Sequence, residues 1–258
     1  ERPDDPAPQG LQSFNEISLI NLVTGEHFPM AVGFNPRMVR YTRDSTQALV
    51  VSDAYLAIID LLDDQPLPDL IELSPDVIDP PLAEEVIVAG SGAFAYVRQF
   101  GTDEILVVDL DQQLVDPVPV GLNPTDLDIS PNGADAVVVA RGSRELWRLN
   151  ADDHFAPPEV LPFPDDLSMG SLVFDPTGDQ AILYTTASPI DRFMTWDIDS
   201  GAIRTRALVK PVTGMAITPT GESMLAFHTF EDAPNADLSP FSNSWALTIF
   251  SLDDFRSN

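Results

Sequence analysis

The chain has 258 residues with 41 acidic and 13 basic side chains, which gives a formal net charge of −28. Hydrophobic residues make up 44% of the sequence, which is enough for a folded core, so the charge does not imply disorder. The negative charge repels a polyanion and so excludes nucleic-acid binding, and the absence of cysteine excludes disulfides and thiolate metal sites.

The chain opens with a segment rich in proline and aspartate, and residues 1–12 are predicted to form a flexible linker. An ordinary frayed terminus explains this composition equally well. The folded domain is predicted to occupy residues 13–258. No apolar stretch in it approaches the roughly 18 residues that a membrane helix needs, so membrane insertion is not expected.

A short turn recurs between pairs of apolar runs. Its clearest copies read SPNG, DPTG and TPTG and end at Gly133, Gly178 and Gly221; looser copies, TRDS and AGSG, end at Ser45 and Gly92. The copies lie 41 to 47 residues apart. Proline presets φ at the second turn position, and glycine accepts a positive φ at the fourth. This turn is typical of a connection between adjacent antiparallel strands.

A second feature, an apolar strand that ends in a polar residue, recurs at positions between the turns. We call this strand the landmark strand and its final polar residue the landmark residue. The landmark residues lie a mean of 46 positions apart: Asn21, Asp60, Asp109, Asn150, Asp197 and Ser251. Valine, isoleucine and aromatic residues dominate the runs, and helical periodicity is missing. Four short strands in each repeat of this length predict an all-β fold, a β-propeller. The alternative is a β-sandwich whose turns are similar by accident.

The sequence of residues 120–150, VGLNPTDLDISPNGADAVVVARGSRELWRLN, resembles a YVTN-type propeller repeat. Residues 95–110 resemble the second half of that repeat, with Tyr96 and Val97 at its "YV". The resemblance implies the blade framework. Related seven-bladed propellers include lactonases, dehydrogenase-like proteins and many non-enzymatic surface proteins, so the resemblance implies the fold much more than an activity.

The repeats predict five blades and one additional N-terminal strand. The blades are placed at residues 32–65, 81–113, 120–153, 168–201 and 209–254, and residues 14–26 are predicted to form only the outermost strand of a further blade. Sheet edges left open at both ends would favour aggregation. We therefore expect the chain to belong to a ring of six to eight blades that the rest of a longer polypeptide completes. Two alternatives remain, in which a second chain supplies the missing strands or the five blades close by themselves.

Four charged residues are predicted to line a central channel. Alignment of the blades places Arg40 and Asp128 at one inner-strand position, and Glu85 and Asp126 at the neighbouring position. Buried charges without partners are costly, so we expect these side chains to be paired, solvated or functional. A cation or a polar ligand would fit this set; channel water and a structural ion pair are the alternatives.

The sequence supports no cofactor, although calcium is possible because pairs of aspartates recur near the landmark residues. None of these pairs matches a calcium-binding loop, and solvated turn residues explain them as well. His27, His154 and His228 lie far apart without metal-ligand spacing. No GxSxG nucleophile motif is present.

Two segments are predicted to be contact loops or tolerated insertions. The first covers residues 231–244 and contains Phe241, with Trp245 starting the next strand. The second covers residues 66–81 between two blades. Long insertions between blade strands usually lie at the surface and carry contacts.

Three functions are compatible with these features. The first is a non-catalytic binding or scaffold propeller, outside the cytoplasm (periplasmic, cell-surface or secreted), that binds a protein partner or the remainder of its own polypeptide. The alternative is a propeller enzyme of the lactonase or dehydrogenase type with a metal or acid site at the channel. Catalysis is less expected, because only carboxylates and one arginine converge there. The third is a structural subunit of a large surface polypeptide or filament.

Overall fold

The computed structural model describes residues 15–76, 79–230 and 244–252. These residues form antiparallel sheets, and the one helical element among them is a 3-10 turn, Pro164–Asp166. The described part of the chain contains no helix of the length and apolarity that a membrane span requires. Two compact units are present: residues up to 120 with residues 151–155, and residues 121–150 with the chain from 156 onward.

The first unit contains one two-stranded sheet, β1–β2, and two four-stranded sheets, β3–β6 and β7–β10. In each sheet, strands that follow each other in the chain pair antiparallel. The strands are β1 (Glu16–Ile20), β2 (His27–Ala31), β3 (Met38–Tyr41), β4 (Gln47–Val51), β5 (Tyr55–Asp60), β6 (Asp69–Glu72), β7 (Ala83–Val88), β8 (Phe94–Gln99), β9 (Glu104–Asp109) and β10 (Leu114–Pro119).

The second unit contains two four-stranded sheets, β11–β14 and β15–β18, and a sheet of three described strands, β19–β21. The same antiparallel order of consecutive strands holds in all three sheets. The strands are β11 (Pro124–Ile129), β12 (Asp135–Ala140), β13 (Glu145–Asn150), β14 (Glu159–Pro162), β15 (Ser171–Phe174), β16 (Gln180–Tyr184), β17 (Arg192–Asp197), β18 (Ile203–Ala207), β19 (Val212–Ile217), β20 (Ser223–His228) and β21 (Ala246–Ser251).

The five repeated turns are confirmed. Each joins the first and second strands of a sheet, and its fourth residue has a positive φ, between 60° and 80°. In each turn the amide of the fourth residue donates to the carbonyl of the first, with N···O distances of 2.9 Å (Ser45–Thr42), 2.9 Å (Gly92–Ala89), 2.7 Å (Gly133–Ser130), 3.1 Å (Gly178–Asp175) and 2.8 Å (Gly221–Thr218). The same turn therefore connects the first two strands of five sheets.

Five of the six landmark strands (β5, β9, β13, β17 and β21) are the third strands of their sheets, and the first, β1, belongs to the two-stranded sheet. In the four-stranded sheets a fourth strand (β6, β10, β14 or β18) follows each landmark strand. These fourth strands lie beyond the residue ranges predicted for the blades. The strand β6 lies within residues 66–81, which were predicted to be a contact loop or a tolerated insertion. They are largely exposed, and β10 contains Pro117 and Pro119, so their apolar pattern is weak.

The N-terminal element is also corrected. Residues 14–26 were predicted to add one outermost strand, but β1 pairs with a second strand, β2, in a hairpin. Like the fourth strands, β2 is short and has few buried residues. It also contains a proline, Pro29. A strand that buries only alternate side chains and lacks one amide donor leaves little signal in the sequence.

The core lies between the faces of consecutive sheets. In the first unit, Leu49 and Leu56 of one four-stranded sheet share a buried apolar cluster with Val97 and Leu106 of the next. Because β4 and β5, β8 and β9, and β16 and β17 carry buried residues at successive positions, their sequences read as continuous apolar runs.

In the second unit, the sheet β15–β18 packs in this way on both sides. On one side, Leu183 and Trp196 contact a cluster shared with Val139 of β12. On the other side, Ile182 and Phe193 pack with residues of β19–β21. The middle strands of such a sheet are covered on both faces, which explains why they contain few polar residues.

Tyr96 and Val97, the two residues at the "YV" of the resemblance, are fully buried in β8. The Tyr96 hydroxyl donates a hydrogen bond of 3.0 Å to the carbonyl oxygen of Ala151. Burial, together with the carboxylates of Asp152 and Asp153, raises the pKa of the Tyr96 hydroxyl well above its usual range. Tyr96 therefore anchors the segment 151–155 to the first unit.

We expect the substitution Gly178→Ala to lower the free energy of unfolding by about 1–2 kcal/mol, because an L side chain is strained at φ +80°. The control is Gly214→Ala, since no atom lies within 4 Å of the added Cβ and its φ is not in the positive range. The control should change stability by no more than about 0.5 kcal/mol. Urea denaturation measures both variants, and equal losses would contradict the role of the turn.

We also expect an alkaline loss of stability that depends on Tyr96. Its raised pKa means that the neutral hydroxyl stabilises the fold fully below about pH 10, and that this contribution falls as the pH rises further. Tyr96→Phe should cost about 1 kcal/mol at pH 8 and then lose less stability than the wild type between pH 9 and about 11. Tyr41→Phe, at a site that is 60% exposed, is the control. Parallel pH profiles for the wild type and Tyr96→Phe, measured by urea denaturation, would contradict this prediction.

Candidate functional site

The four residues predicted to line a channel all lie on first strands of sheets. Arg40 is exposed on β3, Glu85 lies on β7, and Asp126 and Asp128 lie on β11. In the first unit β3 contacts β7, and in the second unit β11 contacts β15. The structure thus places all four residues on the first strands of their sheets, and the contacts of the three acidic residues indicate what they do.

Glu85 forms a structural ion pair with Arg98 on the neighbouring strand. The Arg98 Nε lies 3.1 Å from Glu85 Oε2, and its Nη1 lies 2.8 Å from Glu84 Oε2. The Arg98 side chain is 11% exposed, so two carboxylates compensate a largely buried guanidinium. Sequence analysis missed Arg98, although it lies directly opposite Glu85 in the strand register.

The two aspartates of β11 accept hydrogen bonds from backbone amides. Asp126 Oδ2 accepts from the amide of Leu172, on the first strand of the next sheet. Beside it, the Thr125 hydroxyl donates to the carbonyl oxygen of Gly170 at 2.9 Å. Asp128 Oδ1 accepts from the amide of Ile129 at 2.8 Å. Asp126 and Thr125 therefore connect β11 to the segment that begins β15.

These contacts give Glu85, Asp126 and Asp128 structural roles on their strands. Within residues 15–76, 79–230 and 244–252, no three histidine, aspartate or glutamate side chains are arranged so that they could hold a metal ion. Calcium binding stays a prediction of the sequence.

The loop predicted at residues 231–244 is described only at its end. Phe241 lies outside the described residues. Trp245 is 71% exposed, and its ring centroid lies 6.1 Å from that of Phe230. The residues on either side of this loop therefore form an exposed aromatic pair.

A buried lysine joins the two ends of the same loop. Lys210 is 1% exposed, and its Nζ donates to the carbonyl oxygens of Ser244 at 2.8 Å and Phe230 at 3.4 Å. The ring of His228, also buried, contacts the Lys210 carbonyl oxygen through Nδ1 and the Thr248 hydroxyl through Nε2, at 2.8 Å and 2.7 Å. Nothing in the spacing of these residues signalled this network, because its members come from three separate segments.

One face of the last sheet is apolar and exposed. Phe227, Trp245, Leu247 and Ile249 are 43%, 71%, 50% and 64% exposed, and we call these four residues the β21 surface. Leu247 and Ile249 alternate along β21 with half-buried residues, and Leu247 lies opposite Phe227 in the register. The other face of this sheet, which includes Met224, packs in the core of the second unit.

The edge of β21 adds a second feature to this surface. Among the residues that the structure describes, β21 pairs with β20 alone, whereas β5, β9, β13 and β17 each pair with a fourth strand. The outer edge of a third strand without a fourth strand presents backbone donors and acceptors to which another strand can bind.

No protein-family model and no curated protein matches the chain. Solved structures do match it. The chain has a TM-score of 0.59 and 13% identity to the β-propeller domain of Cps50 (Swd1) from Myceliophteria thermophila, and the match covers 84% of this chain and 75% of that one. A putative 6-phosphogluconolactonase from Bacteroides uniformis gives a TM-score of 0.56 at 17% identity, over 92% and 78% of the two chains.

Two longer proteins are similar over part of their length. Hydrazine synthase from Kuenenia stuttgartiensis gives a TM-score of 0.61 at 18% identity and covers 84% of this chain. The dihydro-heme d1 dehydrogenase NirN gives 0.62 at 14% identity and covers 83% of it. This chain spans less than two thirds of both, 62% and 47% respectively. At these identities the similarity shows the fold alone: the chain is an all-β protein with a β-propeller fold.

We expect Asp126→Ala to lower the free energy of unfolding by about 1–3 kcal/mol, because it leaves the Leu172 amide without its carboxylate acceptor. Asp126→Asn retains an acceptor oxygen and should cost less. Arg40→Ala, at an exposed position on β3, should change stability by no more than about 0.5 kcal/mol. Chemical denaturation measures all three variants, and a neutral Asp126→Ala would contradict the structural role.

Proposed function

We propose that the chain is a non-catalytic β-propeller that binds a protein partner, or another part of a larger polypeptide, by accepting an antiparallel β-strand at β21. The observation that carries the proposal is the exposed β21 surface beside an edge of β21 that pairs with no strand in the described part of the chain. We also propose that the chain lies outside the cytoplasm and that its blades are YVTN-type repeats.

The molecule's own sheets indicate what such a partner would provide. The third strand β17 is paired with β18, and the face that includes Ile182 and Phe193 is covered by the next sheet. The β21 surface is the corresponding apolar face of the last sheet. A partner strand that pairs with β21 and brings apolar side chains over Leu247 and Ile249 would repeat an arrangement that the chain already uses.

The energetics favour an apolar interface with backbone pairing. Full burial of a leucine, an isoleucine or an aromatic side chain contributes about 1.5–3 kcal/mol each, and strand pairing adds backbone hydrogen bonds that fix the register. The strand β21, with the sequence ALTIFS, carries no charge, while the whole chain carries −28. Charge elsewhere on the surface therefore opposes unspecific association and leaves this neutral strand as the place of contact.

Binding is favoured over catalysis because Glu85 and Asp126, which the alternative enzyme would use, are engaged in structural contacts. The proteins of similar fold include a β-propeller domain, a putative lactonase and a dehydrogenase. The β-propeller fold accommodates both kinds of function, so the proposal rests on the β21 surface.

The test is sedimentation velocity of the 258-residue chain over a range of concentrations. An uncovered apolar face next to an open strand edge should cause reversible self-association when the natural partner is absent. Salt at about 0.5 M reduces the Debye length to about 4 Å and so screens repulsion between the acidic chains. We expect Ile249→Lys to weaken this association at least about tenfold, because it places a charge in the middle of the surface.

The matched control is Leu62→Lys, which introduces the same charge at a leucine that is 75% exposed and outside the β21 surface. Circular dichroism should show that both variants retain the strand content of the wild type. A wild type that stays monomeric at every concentration, or an effect of Leu62→Lys equal to that of Ile249→Lys, would contradict the proposal.

A further inference from the structure

A cavity of about 720 Å³ lies in the first unit, next to the two loops that flank β3–β6. Its lining comes from the residue before β1, the end of β2, the segment between β2 and β3, the turn between β4 and β5 with the start of β5, the strand β6 and the segment before β7: Asn15, Ala31, Gly33, Phe34, Asp53, Ala54, Tyr55, Leu70, Asp79, Pro80 and Leu82. This volume is within the usual range for sites that bind small organic molecules.

The walls of the cavity are mainly apolar and accessible to solvent. Phe34, Leu70 and Leu82 are 38%, 48% and 39% exposed, and Tyr55 is half-buried beside them. A ligand with an apolar body would displace water from these side chains and so gain affinity. The rings of Phe34 and Tyr55 also offer faces that attract a cation.

Three oxygen-bearing side chains of the lining, Asn15, Asp53 and Asp79, offer hydrogen-bond acceptors. The Oδ1 atom of Asn15 is buried and has no hydrogen-bond partner within the described structure. Asp53 is 4% exposed and is held by Arg37 Nε at 2.7 Å and Asn35 Nδ2 at 3.1 Å. Asp79 is exposed. A buried acceptor without a partner has an energetic cost, which a ligand that donates a hydrogen bond would remove.

The electrostatics of the lining favour a positive ligand. The described lining side chains include two carboxylates, Asp53 and Asp79, and no basic group. Arg37 compensates Asp53, so that the charge of Asp79 remains in excess. The overall charge of −28 also attracts cations to the surface and repels anions.

The wall that contains Phe34 is fixed by its backbone. Gly33 has φ +101°, and a Cβ atom at this position would clash with Ser52 Oγ. That hydroxyl donates to the Val32 carbonyl oxygen at 3.1 Å, and the Asp53 amide donates to the Phe34 carbonyl oxygen at 3.0 Å. The cavity is therefore formed before a ligand enters, which reduces the entropic cost of binding.

We propose that this cavity binds an organic cation, a protonated amine attached to an apolar or aromatic body. The ammonium group donates to the acceptors of the lining, and the body packs against the walls around Phe34. The proposal is independent of strand addition at β21, because the cavity and the β21 surface share no residue.

The test is isothermal titration calorimetry of the full chain with three probes that share a naphthalene ring substituted at position 2. 2-Naphthylmethylammonium is the cation, 2-naphthylmethanol is the neutral analogue, and 2-naphthoate is the anion. We expect the cation to bind most tightly and the anion not to bind measurably. Absence of binding by the cation, or equal affinity for the cation and the neutral analogue, would overturn the proposal.

Two variants locate the site. Asp79→Asn should weaken cation binding about two- to fivefold and leave the neutral probe unchanged, because it removes only an exposed charge. Phe34→Ala should weaken binding of both probes about tenfold. The controls are Asp64→Asn and Phe100→Ala, which remove an exposed carboxylate and an exposed ring of the same unit away from the cavity. Variants that bind as their controls do would place the probe elsewhere and overturn the assignment.

Discussion

Packing between the apolar faces of consecutive sheets is the interaction on which the rest of this structure depends. The sheet β15–β18 shows it most clearly, because Trp196 faces one neighbouring cluster and Phe193 faces the other. Covering both faces stabilises a sheet of this kind, since its middle strands are apolar at successive positions. In the last sheet, Leu247 and Ile249 alternate with half-buried residues of β21, and they lie on an apolar face that is exposed. The property that builds the core therefore also produces the proposed binding surface.

The sequence predicted the parts of the fold that have strong local signals. The turns that end at Gly133, Gly178 and Gly221 require a positive φ, and the structure has it at each of them. The sequence predicted four strands in each repeat but not the positions of the fourth strands, and it did not predict β2, because exposed strands interrupted by residues such as Pro29 and Pro117 lack a clear apolar pattern. The stability of these strands comes from pairing with the third strand, and a pattern within one segment does not reveal such pairing.

The candidate sites could be predicted only in part, for a related reason. Alignment of the blades predicted that Glu85 and Asp126 share an inner-strand position, but their partners depend on the strand register and on the neighbouring sheet. The buried Lys210 network and the cavity around Phe34 assemble from segments that are distant in the chain. No spacing rule applies to such sets, so they become visible only in three dimensions.

The central claim is that β21 is a third strand whose outer edge accepts another strand. Hydrogen exchange of the backbone amides, read residue by residue in the isolated chain, tests it most directly. In β17, which is paired on both sides, we expect protection at successive residues. In β21 we expect protection only at the alternate residues whose amides face β20, with rapid exchange at the others. Equal protection of all β21 amides in the monomer would contradict the account.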